Sequence, residues 1–448
     1  MEGRLMEYYS PFEKAFKKIT TPFEHFIHAQ TTTGLILIVV TVIALIIANT
    51  SLYETYNHII HAVIEFNVGE WKLSHSLHHW INDGLMTVFF FMVGLEIKRE
   101  ILVGELSSLK AAILPIIAAI GGMVFPALIY LGINYGEAGQ NGWGIPMATD
   151  IAFAITALVL LGNRVSPALV TFLTALAIVD DLGAVLVIAV FYTNEIQMVA
   201  LGLAALSFVL LILFNLFGIR TILPYILVGL FFWFFMLESG VHATIAGVLT
   251  AFTIPFKPKI RTTSFVRRIR KLLDQYDGYH VEKSRVMNEN QKAILQNIKD
   301  NINAVSSPAE IWEHVLHLPV GLIVIPIFAL ANAAIYIDFS SISDQLTGMI
   351  SLGIIFGLIV GKIMGVFGVS YLAVKFKIAQ LPHGATFSQL FGVAALAGIG
   401  FTMSIFVADL AFLGNDACIL QAKIAILTAS LISGFFGYIW LRFIAQKR

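Results

Sequence analysis

The sequence predicts an all-α polytopic membrane protein with twelve transmembrane helices. Three observations carry that reading. Of 448 residues, 58% are hydrophobic and 12% charged, about half the charge of ordinary soluble domains, roughly 25%. That leaves too little polar surface to cover the apolar side chains in water. The apolar residues gather in runs close to the length a helix needs to cross about 30 Å of hydrocarbon. Lys and Arg then alternate between successive connections, as in a chain that threads back and forth through a bilayer. A net charge of zero gives no field to attract a nucleic acid. The single cysteine, Cys418, cannot close an internal disulfide.

Residues 1–32 read as a polar, amphipathic segment, with Phe12, Phe16, Ile19 and Phe23 at helical spacing and no cleavable signal peptide. Eight spans fill 33–256, near 33–50, 84–104, 110–133, 147–161, 168–193, 197–217, 222–237 and 241–256, with a polar connection at about 51–82. The fourth, seventh and eighth are short. Residues 257–316 form a long basic connection, in which Ile294, Ile298, Ile302 and Val305 predict an amphipathic helix. Four more spans follow in 317–442, near 317–337, 346–373, 386–409 and 418–442, and 443–448 is a tail.

The basic residues set the orientation. The N-terminal segment holds Arg4, Lys14, Lys17 and Lys18; alternate connections then hold Lys98, Arg99 and Lys110, then Arg164, Arg220, eleven between 257 and 316, then Lys375 and Lys377, and finally Arg442, Lys447 and Arg448. Of the 28 Lys and Arg, only Lys72, Lys362 and Lys423 fall elsewhere. By the positive-inside rule both termini are cytoplasmic.

Four ionisable residues sit in apolar runs: Asp150 in MATDIAFAI, Asp180 and Asp181 in ALAIVDDLGAVLVIAVF, and Lys362 in IIFGLIVGKIMGVFGV. Each costs about 2.5–3.5 kcal/mol at the membrane centre and marks function by default. A buried ion pair that only fixes packing accounts for one Asp and the Lys, but three carboxylates against one ammonium leave acids in excess. Carboxylates, with hydroxyls such as Thr149, offer the oxygen ligands a hard cation such as sodium takes. The same oxygens can hold protons, so proton and cation compete for one site, and that competition can couple opposite fluxes.

The fourth span opens on Gly142, Gly144 and Pro146 just before Asp150; the eleventh carries Gly398 and Gly400 in its middle, then Thr402 and Ser404. Gly/Pro-interrupted spans at matching places in two halves point to a transporter site. Here they are the middle members of spans 3–5 and 10–12, which charge parity orients oppositely, an inverted-topology repeat. Two broken, crossing helices bring like half-helix ends together. Asp150 is placed for the positive ends and Lys362 for the negative ones.

Seven runs in order resemble the NhaA-type sodium/proton antiporters: DGLMTVFFFMVGLEIKRE (83–100), ATDIAFAI (148–155), LAIVDDLGAV (176–185), GVHATIAG (240–247), IFALANA (327–333), GKIMGVFG (361–368) and GIGFTMSIF (398–406). That family is itself an example of inverted-topology repeats. The resemblance implies that Asp180 and Asp181 bind cation and proton, with Asp181 the obligatory carrier and Asp180 bridging Lys362 until cation arrives. It places Asp150 and Thr149 at the crossing of the broken helices. It implies electrogenic, pH-regulated exchange of cytoplasmic sodium or lithium for external protons in a bacterial inner membrane, with no cofactor. Glu96, Arg99, Glu313, His314, His317 and His242 match positions tied to the pH response, and Asp83 is also a position of interest. Members form homodimers through a hairpin between spans 1 and 2, for which 66–75 is suited here. The long 257–316 connection departs from the family's short one.

Two other functions fit parts of the same pattern. An intramembrane aspartyl protease can use two membrane aspartates, but no Gly-x-Gly-Asp pattern surrounds Asp150 or Asp180 and Lys362 is left unexplained. A sodium-coupled organic-anion symporter keeps the architecture and turns Lys362 toward a substrate carboxylate. The histidines His58, His61, His75, His78 and His79 between the first two spans are too irregularly spaced for a metal site.

Overall fold

Inside hydrocarbon a backbone without water must satisfy its own N–H and C=O groups, and helices do this within one segment. The computed structural model follows that rule. It describes residues 30–68, 71–193, 196–260, 262–278, 287–338, 340 and 342–445. The expected amphipathic segment before Gln30 and the last three residues of the tail lie outside them. Among the described residues, eight helices are long and apolar enough to cross a membrane, or nine if one bent pair counts as a single span. The remaining expected spans fold as shorter helices: α3 (Met86–Leu102), α8 (Leu223–Glu238) and α9 (Thr244–Thr253). α9 has 10 residues, about 15 Å at 1.5 Å per residue, where the sequence predicted a span over 241–256. Gly240 at φ +80° precedes it, and Ile254 and Pro255 leave the helix at its end.

The chain divides into two compact units. One gathers residues up to Met86, Gly104–Tyr192 and Leu318 onward. It opens with α1 (Gln30–Ala48) and the short α2 (Tyr53–Ile60). Strands β1 (Val63–Val68) and β2 (Trp71–Ser76) then pair antiparallel, from Val63 with Ser76 to Val68 with Trp71. α4 (Leu109–Asn134) is followed by a 3₁₀ segment, Gln140–Met147, an extended stretch through Asp150, and α5 (Ile151–Val159). α6 (Pro167–Phe191) starts on a proline, whose missing N–H costs nothing at a first helical position.

The second unit holds Thr87–Val103 and Thr193–His317. α7 (Met198–Leu216) is only 17% buried, a largely exposed apolar surface of the kind that suits contact with lipid. It packs along α8, with Phe208 and Phe232 stacked at 5.5 Å. Within this unit Gly247 of α9 fits against Thr87, where a Cβ would come 2.4 Å from the Thr87 carbonyl. Lys98 caps the far end of α9, donating to the carbonyls of Phe252 and Ile254. The 257–316 connection folds as two helices, α10 (Thr262–Gly278) and α11 (Glu289–Val305). α11 covers the predicted isoleucine stripe and starts on a capping box between Asn288 and Gln291. α10 was not predicted.

The first unit resumes in α12 (Pro308–Asn332), then α13 (Met349–Lys375). α14 (Phe387–Leu396) and α15 (Phe401–Ala411) are the bent pair, meeting at 46°, and α16 (Asp416–Ile444) ends the fold. α13 carries glycines at every fourth residue, Gly357, Gly361 and Gly365, the spacing that lets membrane helices touch backbone to backbone. A Cβ on Gly365 would stand 2.1 Å from the Gly121 carbonyl of α4, and one on Gly361 2.7 Å from the Pro126 Cα. α13 is also widened into π turns at Gly357–Gly361 and Ile363–Gly368, on either side of Lys362. Such insertions re-aim side chains and recur at functional sites.

Candidate cation and proton site

The site forms where two spans of the first unit lose their helix. In one, Ala148 and Asp150 are extended; in the other, the chain turns at Ala397–Gly400. The breaks meet backbone to backbone, with the Asp150 N–H donating to the Ile399 carbonyl at 2.7 Å. Only glycine fits there: a Cβ on Gly398 would lie 2.4 Å from the Leu358 carbonyl, and one on Gly400 2.2 Å from Ser404 Oγ. Ser404 Oγ in turn donates to the Ile145 carbonyl at 2.8 Å.

Asp150 sits at the amino ends of both following half-helices. Its Oδ1 accepts from the Phe153 N–H of α5 at 3.1 Å. Its Oδ2 accepts from the Thr402 N–H of α15 at 3.0 Å and from the Thr402 hydroxyl. Four N–H groups are orphaned at each helix start and carry partial positive charge, so one carboxylate serves two such ends. The opposite ends are held by Lys362 and Thr149. Lys362 Nζ donates to the Met147 carbonyl at 2.5 Å, to Thr149 Oγ1 at 2.9 Å and to Asp180 Oδ2 at 2.7 Å. Thr149 shares its single hydrogen between Asp180 Oδ2 at 2.8 Å and the Ala397 carbonyl at 3.0 Å. Asp180 Oδ1 accepts no hydrogen bond among the described residues.

None of this touches water: Thr149, Asp150, Asp180, Asp181 and Lys362 are each at most 2% exposed. Asp181 lies one residue beyond Asp180 on α6, about 100° around the helix. The structure thus brings Thr149, Asp150, Asp180, Lys362, Gly398, Gly400 and Thr402 together, with Asp181 beside them in sequence. A cluster of oxygens with one carboxylate oxygen left open suits exchange of small cations and protons, by the preference of hard cations for oxygen.

The residues matched to a pH response lie in the second unit. Arg99 of α3 bonds Glu100 and Glu313, each at 2.7 Å, with Glu96 in the field of all three. His314 and His317 are exposed one turn along the start of α12. His242 is half-buried ahead of α9, its carbonyl accepting from the Ile245 N–H at 3.2 Å. Asp83, in the first unit, lies 3.2 Å from His79 Nδ1. Sequence reasoning missed a second buried pair, Asp409 with Lys423 at 2.9 Å. Its signal was there to read: Asp409 breaks an apolar run, and Lys423 is one of the three basic residues off the charge pattern.

Residues 24–441 match the family model described as Na+/H+ antiporter 1. The chain belongs to that family. It is 62% identical to the Na(+)/H(+) antiporter NhaA of Sulfurimonas denitrificans, over 99% of this chain and 100% of that relative. It is 49% identical to Na(+)/H(+) antiporter NhaA 1 of Saccharophagus degradans, over 96% of this chain and 93% of that one. The NhaA of Dichelobacter nodosus is 47% identical, over 97% and 94%. Membership in the Na+/H+ antiporter 1 family makes the chain a membrane transporter rather than an enzyme, which removes the protease reading.

Proposed function

We propose that the protein exchanges sodium or lithium for protons across the bilayer, both ions competing for the buried aspartates. The observation that carries this is the junction of the two breaks, where Asp180, Thr149, Asp150 and Lys362 crowd oxygens and one ammonium into a dry site. The relatives' name, Na(+)/H(+) antiporter, supports the choice of ions. Asp181 is the obligatory carrier. Asp180 rests on Lys362 in the unloaded site, and its open Oδ1 is where an arriving ion begins to pull the pair apart. Burying a charge is costly unless it is paired, so a proton or a cation must replace the ammonium before the carboxylate lets it go.

The symporter reading needs Lys362 free for a substrate carboxylate. An ammonium has three donors, and all three are used within the site. Antiport is therefore the reading we retain.

The finer architecture belongs to the same proposal. Counting α3, α8 and α9 as spans gives twelve, with both termini cytoplasmic in a bacterial inner membrane, and spans 3–5 and 10–12 as inverted repeats. The Glu96, Arg99, Glu313, His314, His317 and His242 group on the cytoplasmic side tunes activity with pH, and exchange is electrogenic. The β1–β2 hairpin joins two copies into a homodimer, consistent with Val63 and Ile64 standing 59% and 38% exposed. Deleting residues 63–76 is expected to convert the dimer to monomer in light scattering; an unchanged mass would remove the hairpin from the interface.

The transport test uses sealed vesicles with an imposed proton gradient. Added sodium is expected to collapse the gradient, and Asp181→Asn to abolish the effect. Solubilised protein is expected to release protons on sodium addition, again lost in Asp181→Asn. Unimpaired exchange by that variant would overturn the assignment of Asp181.

A further inference from the structure

A second polar cluster lies in the first unit, and one of its members, His78, follows the β-hairpin directly in sequence. Asp409, late in α15, pairs with Lys423 of α16, Nζ to Oδ1 at 2.9 Å, with 10% and 12% of their side chains exposed. The other oxygen, Asp409 Oδ2, is buried and accepts no hydrogen bond among the described residues. His78 lies within the field of both charges. Its Nε2 is 2.9 Å from Asn332 Oδ1. Asn332 donates its amide hydrogens to Asn82 Oδ1 at 2.8 Å and to the Phe328 carbonyl at 3.0 Å. The Asn332 oxygen is therefore an acceptor, so Nε2 of His78 holds a hydrogen and Nδ1 is the nitrogen open to a second one. His78 also stacks on His61, ring centres 5.9 Å apart. His61, with Tyr53, Asn57, Tyr336 and Asp416, lines a cleft of about 690 Å³.

We propose that His78, Asp409 and Lys423 form a second proton-binding site of the exchanger, reached from this cleft past His61. The titratable and charged groups that bear on His78 are Asp409, which favours its charged form, and Lys423 and His61, which oppose it. Burial is the largest influence and holds His78 below the ordinary histidine range. A proton therefore binds there weakly and leaves readily, as transit requires. It enters and leaves at Nδ1, so Nε2–H stays on Asn332 and the ring returns to its starting state. While the proton is present, the open Asp409 Oδ2 has a second cation to face besides Lys423. Asp409 lies seven residues after Thr402 on α15, about 10 Å along the helix, so the site shares a half-helix with the Asp150 contact.

This inference rests on the antiport reading, and the test separates the two. Protein inserted in one orientation into vesicles is assayed with the pH of each face buffered independently. The unmodified protein is expected to show an inflection with hairpin-side pH below about 6.5, the unperturbed histidine value. His78→Gln, which keeps an amide donor for Asn332, is expected to lose that inflection while the sodium KM at the opposite face holds. His61→Gln, at an exposed position, is expected to slow exchange in the same pH range without lowering the thermal midpoint. If His78→Gln and Asp409→Asn both fold and keep the unmodified hairpin-side profile, the second site is overturned. If the unmodified protein does not exchange at all, the antiport reading falls and takes this inference with it.

Discussion

Lys362 shows most plainly how single residues are constrained here. It is fully buried and bonded to a backbone carbonyl, a hydroxyl and a carboxylate. Removing one member of such a pair strands the other charge, at about 3–5 kcal/mol, whereas removing both can be close to neutral. Lys362→Met is therefore expected to lower the thermal midpoint of the solubilised protein sharply, and Lys362→Met with Asp180→Leu to recover much of it. Equal losses in the single and double variants would mean that the pair is not coupled. The residue types were legible in the sequence, because an Asp or Lys in an apolar run announces its own cost. Of their partners, only the Asp180–Lys362 bridge was expected, and that from the resemblance rather than from the residues themselves. Which oxygen of Asp180 meets Lys362 depends on helices brought together from distant parts of the chain, and Asp409 meets Lys423 only through the way the consecutive helices α15 and α16 pack.

At the scale of elements, the glycine series of α13 sets how close that helix comes to α4. Gly365 faces a backbone carbonyl that cannot turn aside, and overpacking costs about 1–3 kcal/mol. Gly365→Ala is expected to cut the yield of folded protein and its thermal midpoint. Gly368→Ala, with nothing within 4 Å of its Cβ, is expected to match or exceed the unmodified protein, since alanine is the better helix former. Equal behaviour of the two variants would deny the close contact. The sequence placed the helical runs and both breaks well, since length, hydropathy and Gly/Pro spacing are local properties. It overran α9, whose ends are set by a left-handed glycine and by Lys98 reaching from α3. It overlooked α10, where apolar positions such as Phe265, Ile269, Leu272 and Tyr276 are interleaved with four basic residues in five. There the charge masks the helical period.

At the scale of the whole molecule, orientation decides which solution each polar cluster meets. In the proposed topology of twelve crossings, α10, α11 and both termini lie on one side and the hairpin on the other. In a Cys418→Ser background, a single cysteine at Gln296 is expected to react with an impermeant thiol reagent only from the cytoplasmic face, and one at Ile64 only from the opposite face. Labelling of both from the same side would remove one crossing and reverse everything beyond it. One atom group links this scale back to the first. The Asp150 carboxylate clasps the starts of α5 and α15 at once, like a pin through two hinge leaves. A tilt of either leaf must be borne by the other, so the paired half-helices are built to swing as one part, and a lesion at that pin should slacken both together.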